Sequence, residues 1–218
     1  MNLTEKLPLI YLNARLKTKF TMHTPIDPNA VTDFERTTRD LQRFWLFSMF
    51  AAGKNSDWAS KKVEQLLEGM LDSQIPFLYL YVMGDVWLWY KLRNIKSGQY
   101  KRLERAITES LALDLRRCTL DDLTAIFGVG PKTARFFLVH SRKGAEHAVL
   151  DTHVLRWMNS HGVIVPKTTP GRLTYLRLEK VCLELMAKHY PKDTVAEADL
   201  KIWKHQRHLK DLNAIDLL

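Results

Sequence analysis

Residues 120–157 read LDDLTAIFGVGPKTARFFLVHSRKGAEHAVLDTHVLRW. Two helical patterns flank Gly128-Val129-Gly130. Leu123, Ile126 and Phe127 form one apolar stripe, and Ala134, Phe137 and Leu138 form the next, both at helical spacing. The glycines permit a tight turn and leave backbone N–H groups open, because no Cβ blocks an approaching group. Pro131 suits the first position of the second helix, where its missing N–H costs nothing. Lys132 and Thr133 then fall in that helix's first turn. A helix–hairpin–helix of this kind can hold a phosphate at Gly128, Val129, Gly130 and Thr133 without reading base sequence.

The rest of the chain bounds the possibilities. At 218 residues it can bury one or two small cores. A hydrophobic content of 46% is ordinary for a globular protein. No run of about eighteen apolar residues suggests a membrane span. The N-terminus, MNLTEKLPLIYLNARLKTKF, lacks a secretory core and cleavage site. The expectation is an intracellular protein of the cytoplasm or nucleoid, with no signal peptide. The net charge of +9 favours a polyanionic partner without proving one. Cys118 and Cys182 lie far apart and support neither a disulfide framework nor a zinc site.

The pattern along the chain is helical. Thr24-Pro25-Ile26-Asp27-Pro28 is a turn-rich stop after a short apolar, basic segment. Thr32 with Glu35 reads as a capping box and predicts a helix from near Val31. That helix runs into Phe44-Trp45-Leu46-Phe47-Ser48-Met49-Phe50, apolar nearly all round and so buried. Gly53-Lys54-Asn55 breaks it. Ser56 caps the next helix, with Val63, Leu66, Leu67 and Met70 inward. The aromatic stretch 75–92 reads as two short helices split near Gly84. A helix over 100–113 follows a polar linker, with Leu103, Ile107 and Leu111 in phase. After Asp151 a helix runs to about Ser160. Thr169 with Pro170 predicts the start of another, whose apolar face is Leu173, Leu176, Val181, Leu185 and Met186. Thr194 with Glu197 caps the last, which carries Leu200 and Trp203. The fold class is all-α.

GVGPK, with the aspartate of LDTH nineteen residues beyond its lysine, resembles the helix-hairpin-helix DNA glycosylase superfamily. A lone GVG hairpin would be weak, since ligases and polymerases also carry one. The lysine and the LDTHVLRW box together are specific. IVPKTTPGRLTYLRLEKV and AEADLKIWKHQRHLK resemble the C-terminal part of the archaeal-type 8-oxoguanine DNA glycosylase/AP lyases, the second such family. The likeness is closest across 120–210 and loose over the first 45 residues. It implies two lobes: a central one over 46–148, and a second built from 1–45 and 149–218, with the cleft between them. It implies a bifunctional base-excision enzyme, with Lys132 as nucleophile and Asp151 as the catalytic carboxylate. Its partner would be double-stranded DNA holding a damaged base, most simply 8-oxoguanine. No cofactor would be required, though a monovalent cation could sit in the hairpin turn, and a monomer is expected. Many endonuclease III relatives end in a four-cysteine iron–sulfur loop that this chain lacks, so the resemblance is to a branch without the cluster.

Each residue also has a plainer reading. Lys132 could be a phosphate contact, but the positive end of a helix disfavours a charged amine, and only the neutral amine attacks. Asp151 could be a helix cap alone; capping keeps a carboxylate ionised, which also suits it to face positive charge growing on a sugar. His153 reads as structural, since no second metal ligand sits at suitable spacing. Trp203 lines the base pocket by resemblance and fits a core equally well. Asn55, Gln99 and Lys210 are further base-pocket candidates. The family's base-contacting lysine position falls on Leu212, with Lys210 nearby, and Gln99 stands where relatives can carry an aromatic. Both changes touch base recognition and leave the chemistry alone. The rival reading from another class is a non-catalytic DNA-binding module of the same fold.

Overall fold

The computed structural model describes residues 24–215, with side chains described to Leu209. The apolar, basic segment before Thr24 lies outside the described residues, as do the side chains of Lys210 and Leu212. Within them the protein is helical: α1 (Thr38–Phe50), α2 (Ser56–Leu66), α3 (Pro76–Asn94), α4 (Tyr100–Ser110), α5 (Leu120–Ala125), α6 (Pro131–Ser141), α7 (Thr152–Ser160), α8 (Arg172–His189) and α9 (Val195–Ile215).

Helix α1 is the centre of the first core. Every residue from Leu41 to Phe50 is buried, and the helix packs against α2, α3, α4 and α6. Phe44 stacks on Phe137, and Trp45 meets the edge of that ring, which seats α6 on α1. Trp45 Nε1 donates to Ser110 Oγ at 2.8 Å, so the one polar atom of this large side chain is satisfied where it is buried. Val63, Leu66, Leu67 and Met70 face inward as expected. Helix α3 is broken at Gly84, whose φ of 75° lies outside helical space; the split read from the sequence is present.

Several expected boundaries move. The helix expected from Val31 starts at Thr38, capped by Thr37, whose oxygen accepts from Asp40 N. Thr32 is not available for capping, because its hydroxyl is paired with His140 Nδ1 at 2.8 Å. Asn55, and not Ser56, caps α2; its Oδ1 accepts from the amides of Asp57 and Trp58. Helix α8 starts at Arg172 with Gly171 as cap, so Thr169 and Pro170 precede it. Its buried stripe is Tyr175, Leu178, Cys182 and Met186; a side chain at 173 or 176 falls off that stripe, and Leu173 and Leu176 are exposed. Phe127 also leaves its expected stripe and is exposed.

The second core gathers Ala148, Leu150, Leu155, Trp157, Tyr175, Leu178, Cys182 and Ile202, with a small cluster of Val139, Val149 and Ala196 beside it. Val31, Leu41, Phe44 and Trp45 belong to the first core. Phe34, in the same segment, packs instead against the small cluster of Val139, Val149 and Ala196. Both cysteines are buried and free.

A buried ion pair joins α6 to α8. Arg135 Nε and Nη2 donate to Glu179 Oε1 and Oε2 at 2.6 and 2.7 Å. Ala148 N donates to the same carboxylate at 3.0 Å. Burial pushes the Glu179 carboxyl up, but hydrogen bonds from His147 and Arg135, the guanidinium charge and the Ala148 amide outweigh it and bring it to about 2. A carboxyl lowered from 4.5 in this way stabilises the folded state above that value and loses its contribution as pH falls toward about 2. Glu179→Gln is expected to flatten that acid limb. It should also cost about 3–5 kcal/mol at neutral pH by leaving Arg135 buried and unpaired. Urea denaturation as a function of pH checks both; an unchanged acid limb would show that Glu179 carries no such linkage.

Candidate active site

The hairpin begins from local signals. Thr119 and Asp122 form a reciprocal capping box at the start of α5. Gly128 takes a φ of 72°, open to glycine at little cost, and Val129 N closes the turn on Ile126 O at 3.1 Å. Arg102 braces the turn from α4: Nη1 donates to Gly128 O at 3.2 Å and Nη2 to Met49 O at 3.0 Å. A Cβ on Gly128 would collide with the Arg102 side chain, whereas one on Gly130 meets open space. Gly130 caps α6 without a side-chain bond. The first-turn amides of α6, those of Lys132 and Thr133, are thus left for an external acceptor at the positive end of an eleven-residue helix.

Val129 and Thr133 turn their side chains inward. What Thr133 can offer a phosphate is its amide, and the amide of Val129 is already used within the turn. The carbonyl of Gly128, an obvious ligand for a cation in this turn, faces a guanidinium of the chain itself.

Lys132 and Asp151 line one cleft of about 680 Å³. Lys132 is half-buried, and its Nζ lies 4.8 Å from the ring centre of Phe136, one turn further along α6. Asp151 caps α7: Oδ1 accepts from the amides of His153 and Val154 at 2.8 and 2.9 Å. Its backbone is fixed from behind, because Tyr175 Oη accepts from Leu150 N and donates to Ala148 O, both at 2.9 Å. The cleft has Phe47, Ala51 and Asn55 on one side and His153 and Trp203 on the other, with Leu200 of α9 packed against the first core. Asn55 reaches it with its side-chain oxygen committed to the α2 cap.

Trp203 is half-buried in the cleft wall rather than in the core. The Arg207 guanidinium lies 5.1 Å from its ring centre and pairs with Asp57 of α2 at 2.8 Å, so α9 is tied across the cleft to the first core. Gln99 does not line the cleft. It takes a left-handed conformation before α4, and its side-chain oxygen accepts from Arg102 Nε, so it buttresses the hairpin instead. His153 is paired with Arg156 and packs near Trp203. Among the described residues no group of three or more His, Cys, Asp or Glu is placed to hold a metal ion. None of the described helices is long and apolar enough to cross a membrane.

The cleft also contains Pro28, Val31, His140, Thr169 and Asp199, which the sequence reading passed over. Asp199 had a visible signal: it precedes Trp203 by four residues, so both fall on one face of α9. His140 follows Lys132 by eight, two turns along α6.

No family model matches the chain. Among solved structures, the 8-oxoguanine glycosylase/lyase of Methanocaldococcus jannaschii, in complex with 15mer DNA containing 8-oxoguanine, superposes with a TM-score of 0.60 at 20% identity, over 78% of this chain and 81% of that one. The 8-oxoguanine DNA glycosylase of Thermotoga maritima gives a TM-score of 0.60 at 23% identity, over 91% and 95%. The chain has the fold of these glycosylases. Among the described residues it is helical throughout, with the cleft of Lys132 and Asp151 between the two main cores.

The two hairpin glycines are expected to separate fold from function. Gly128→Ala must displace Arg102 and adopt a strained φ, so thermal melting should show a clear loss of stability. Gly130→Ala should fold normally but weaken binding to damaged and undamaged duplex alike, since its methyl group projects where a phosphate would approach. Wild-type affinity should fall steeply with salt. Salt-insensitive binding, or Gly130→Ala binding duplex like wild type, would remove the hairpin from the DNA interface.

Proposed function

We propose that this protein is a DNA base-excision glycosylase with AP-lyase activity, acting on 8-oxoguanine in duplex DNA. The observation that carries the reading is one cleft containing a lysine in the first turn of the hairpin's second helix and an aspartate capping the next helix. The net charge of +9 suits a polyanionic substrate. Both similar structures bear names that specify 8-oxoguanine, which is the reason for choosing that base.

In this reading the hairpin amides hold a backbone phosphate and the target nucleotide rotates out of the stack into the cleft. The Lys132 amine attacks C1′ of the deoxyribose as the glycosidic bond breaks. The bonding pair leaves with the base, and the Asp151 carboxylate opposes the positive charge growing on the sugar. Ring opening gives an imine between Lys132 and C1′. Loss of a proton from C2′ then expels the 3′ phosphate and nicks the strand. Trp203 offers a face on which the extruded base stacks, once Arg207 gives way or joins it as a cation over the same ring.

The imine is the testable intermediate. Borohydride should reduce it and join protein covalently to a strand carrying an abasic site. Lys132→Gln should abolish both joining and nicking while still binding duplex. Asp151→Asn should slow base excision at the scale of a lost electrostatic stabiliser, about 3 kcal/mol or more, and should spare part of the trapping on a preformed abasic site, where no glycosidic bond remains. A wild-type protein that traps on no lesion or abasic duplex is a binding module or a monofunctional glycosylase. A panel of duplexes, each with one modified base, tests the choice of base.

Trp203→Ala should lose about 1–3 kcal/mol of base stacking. Excision rates should fall more than cleavage of a preformed abasic site, which has no base to stack. Equal loss of both, with a lower melting temperature, would make the tryptophan a packing residue.

A further inference from the structure

Behind Lys132 lies a buried polar chain that the proposed chemistry has not used. Asp199 of α9 lines the same cleft as Lys132 and Asp151. Its Oδ2 is 3.1 Å from His140 Nε2. His140 Nδ1 is in turn 2.8 Å from Thr32 Oγ1, in the segment before α1. His140 is fully buried and Asp199 is 5% exposed, yet Asp199 Oδ1 is buried with no hydrogen-bond partner. A buried carboxylate oxygen without a donor is costly and calls for an explanation. An ionised Asp199 sets one direction for the chain. The Thr32 hydroxyl can donate to Nδ1, Nε2–H then donates to Oδ2, and Oδ1 is left as an acceptor.

Lys132 is directed toward this group. Its amine lies over Phe136, and the Phe136 ring is 4.9 Å from the His140 ring, so the lysine stem runs along α6 toward His140. We propose that Asp199 accepts the proton that the Lys132 ammonium must lose before it attacks, and that His140 and Thr32 hold Asp199 for this task. The step balances within the site. An N–H bond of Lys132 breaks, its electron pair stays on Nζ, and an O–H bond forms at Asp199 Oδ1. An ion pair becomes two neutral groups.

The surroundings favour that transfer. Burial pushes the Asp199 carboxyl up, the His140 bond and charge oppose this, Asp151 at the head of α7 pushes it further up, and Lys132 of α6 pulls it down. Tyr175 and Cys182 of α8 also feel its charge, and Arg36 holds the His140 carbonyl from the N-terminal segment at 2.7 Å. Asp151 Oδ1 is already taken by two amide donors.

The proposal rests on Lys132 as the nucleophile, and the experiment keeps the two apart. Rates of borohydride trapping on a preformed abasic duplex are measured from pH 6 to 10 for wild type, Asp199→Asn and Thr32→Val. Binding to a duplex carrying a tetrahydrofuran abasic analogue, which cannot form an imine, is measured alongside. Asp199→Asn keeps the shape but cannot take the proton. It is expected to trap about a hundredfold more slowly at neutral pH, the scale of a lost general base, and to recover as rising pH lets solvent deprotonate the lysine. Binding to the analogue should not change. Thr32→Val removes the outer hydroxyl, far from the amine, and should shift the profile the same way by a smaller factor. If Asp199→Asn does not fold, Thr32→Val decides, and its wild-type profile overturns the proposal. Wild-type rates at every pH in Asp199→Asn, or a loss equal at every pH, also overturn it while leaving Lys132 as nucleophile. Absence of trapping in wild type overturns the lysine reading and this proposal with it.

Discussion

One carboxylate sets the spacing of the cleft. Glu179 receives Arg135, three residues after Lys132, and the amide of Ala148, three residues before Asp151. The two groups that face each other across the proposed reaction are thus referenced to the same buried side chain on α8. A buried ion pair is a weak source of net stability, because desolvation offsets much of the attraction. Its worth here lies in geometry: the bidentate Arg135–Glu179 pair admits one mutual orientation of α6 and α8. Tyr175, one turn before Glu179, pins the backbone of 148–150 with its hydroxyl, which accepts from Leu150 N and donates to Ala148 O. Asp151 then enters α7 at a defined height, and its own cap bonds fix its carboxylate.

The hairpin is held by a different device. Its tight turn depends on Gly128, and the turn carbonyl is taken by Arg102, which also reaches Met49 at the end of α1 and is steadied by Gln99. A guanidinium anchored to α1 makes the turn a rigid extension of the first core. Lys132 therefore rides on α6, which is seated on α1, while Trp203 and Asp199 ride on α9. The Arg207–Asp57 pair closes the distance between the two.

Much of this was legible in the sequence because the signals are local. A glycine turn with proline behind it, a capping aspartate, the break at Gly84 and the Thr194–Glu197 box each act within a few residues. The errors came where a local signal lost to a tertiary one. Thr32 looked like a cap, but His140, far along the chain, takes its hydroxyl. Leu173 and Leu176 looked like a buried face, but α8 turns Tyr175 and Leu178 inward to reach Leu150. Gln99 looked like a pocket residue from its place before Tyr100, yet it faces the hairpin. Asp199 shares a helix face with Trp203 and could be noticed there, but its pairing with His140 could not be read, because the two lie 59 residues apart. Neither carries a motif of its own.

The claim on which the account turns is that the Lys132 amine forms the bond to C1′. Digesting a borohydride-reduced protein–DNA adduct and sequencing the modified peptide by mass spectrometry tests it directly, because the reduced sugar marks the attacking nitrogen. A single modified peptide with the added mass on Lys132 is expected. A sugar carried by Lys54, by the chain's N-terminal amine or by any other lysine would contradict it, and would mean that the cleft between the two cores is not where the bond is made.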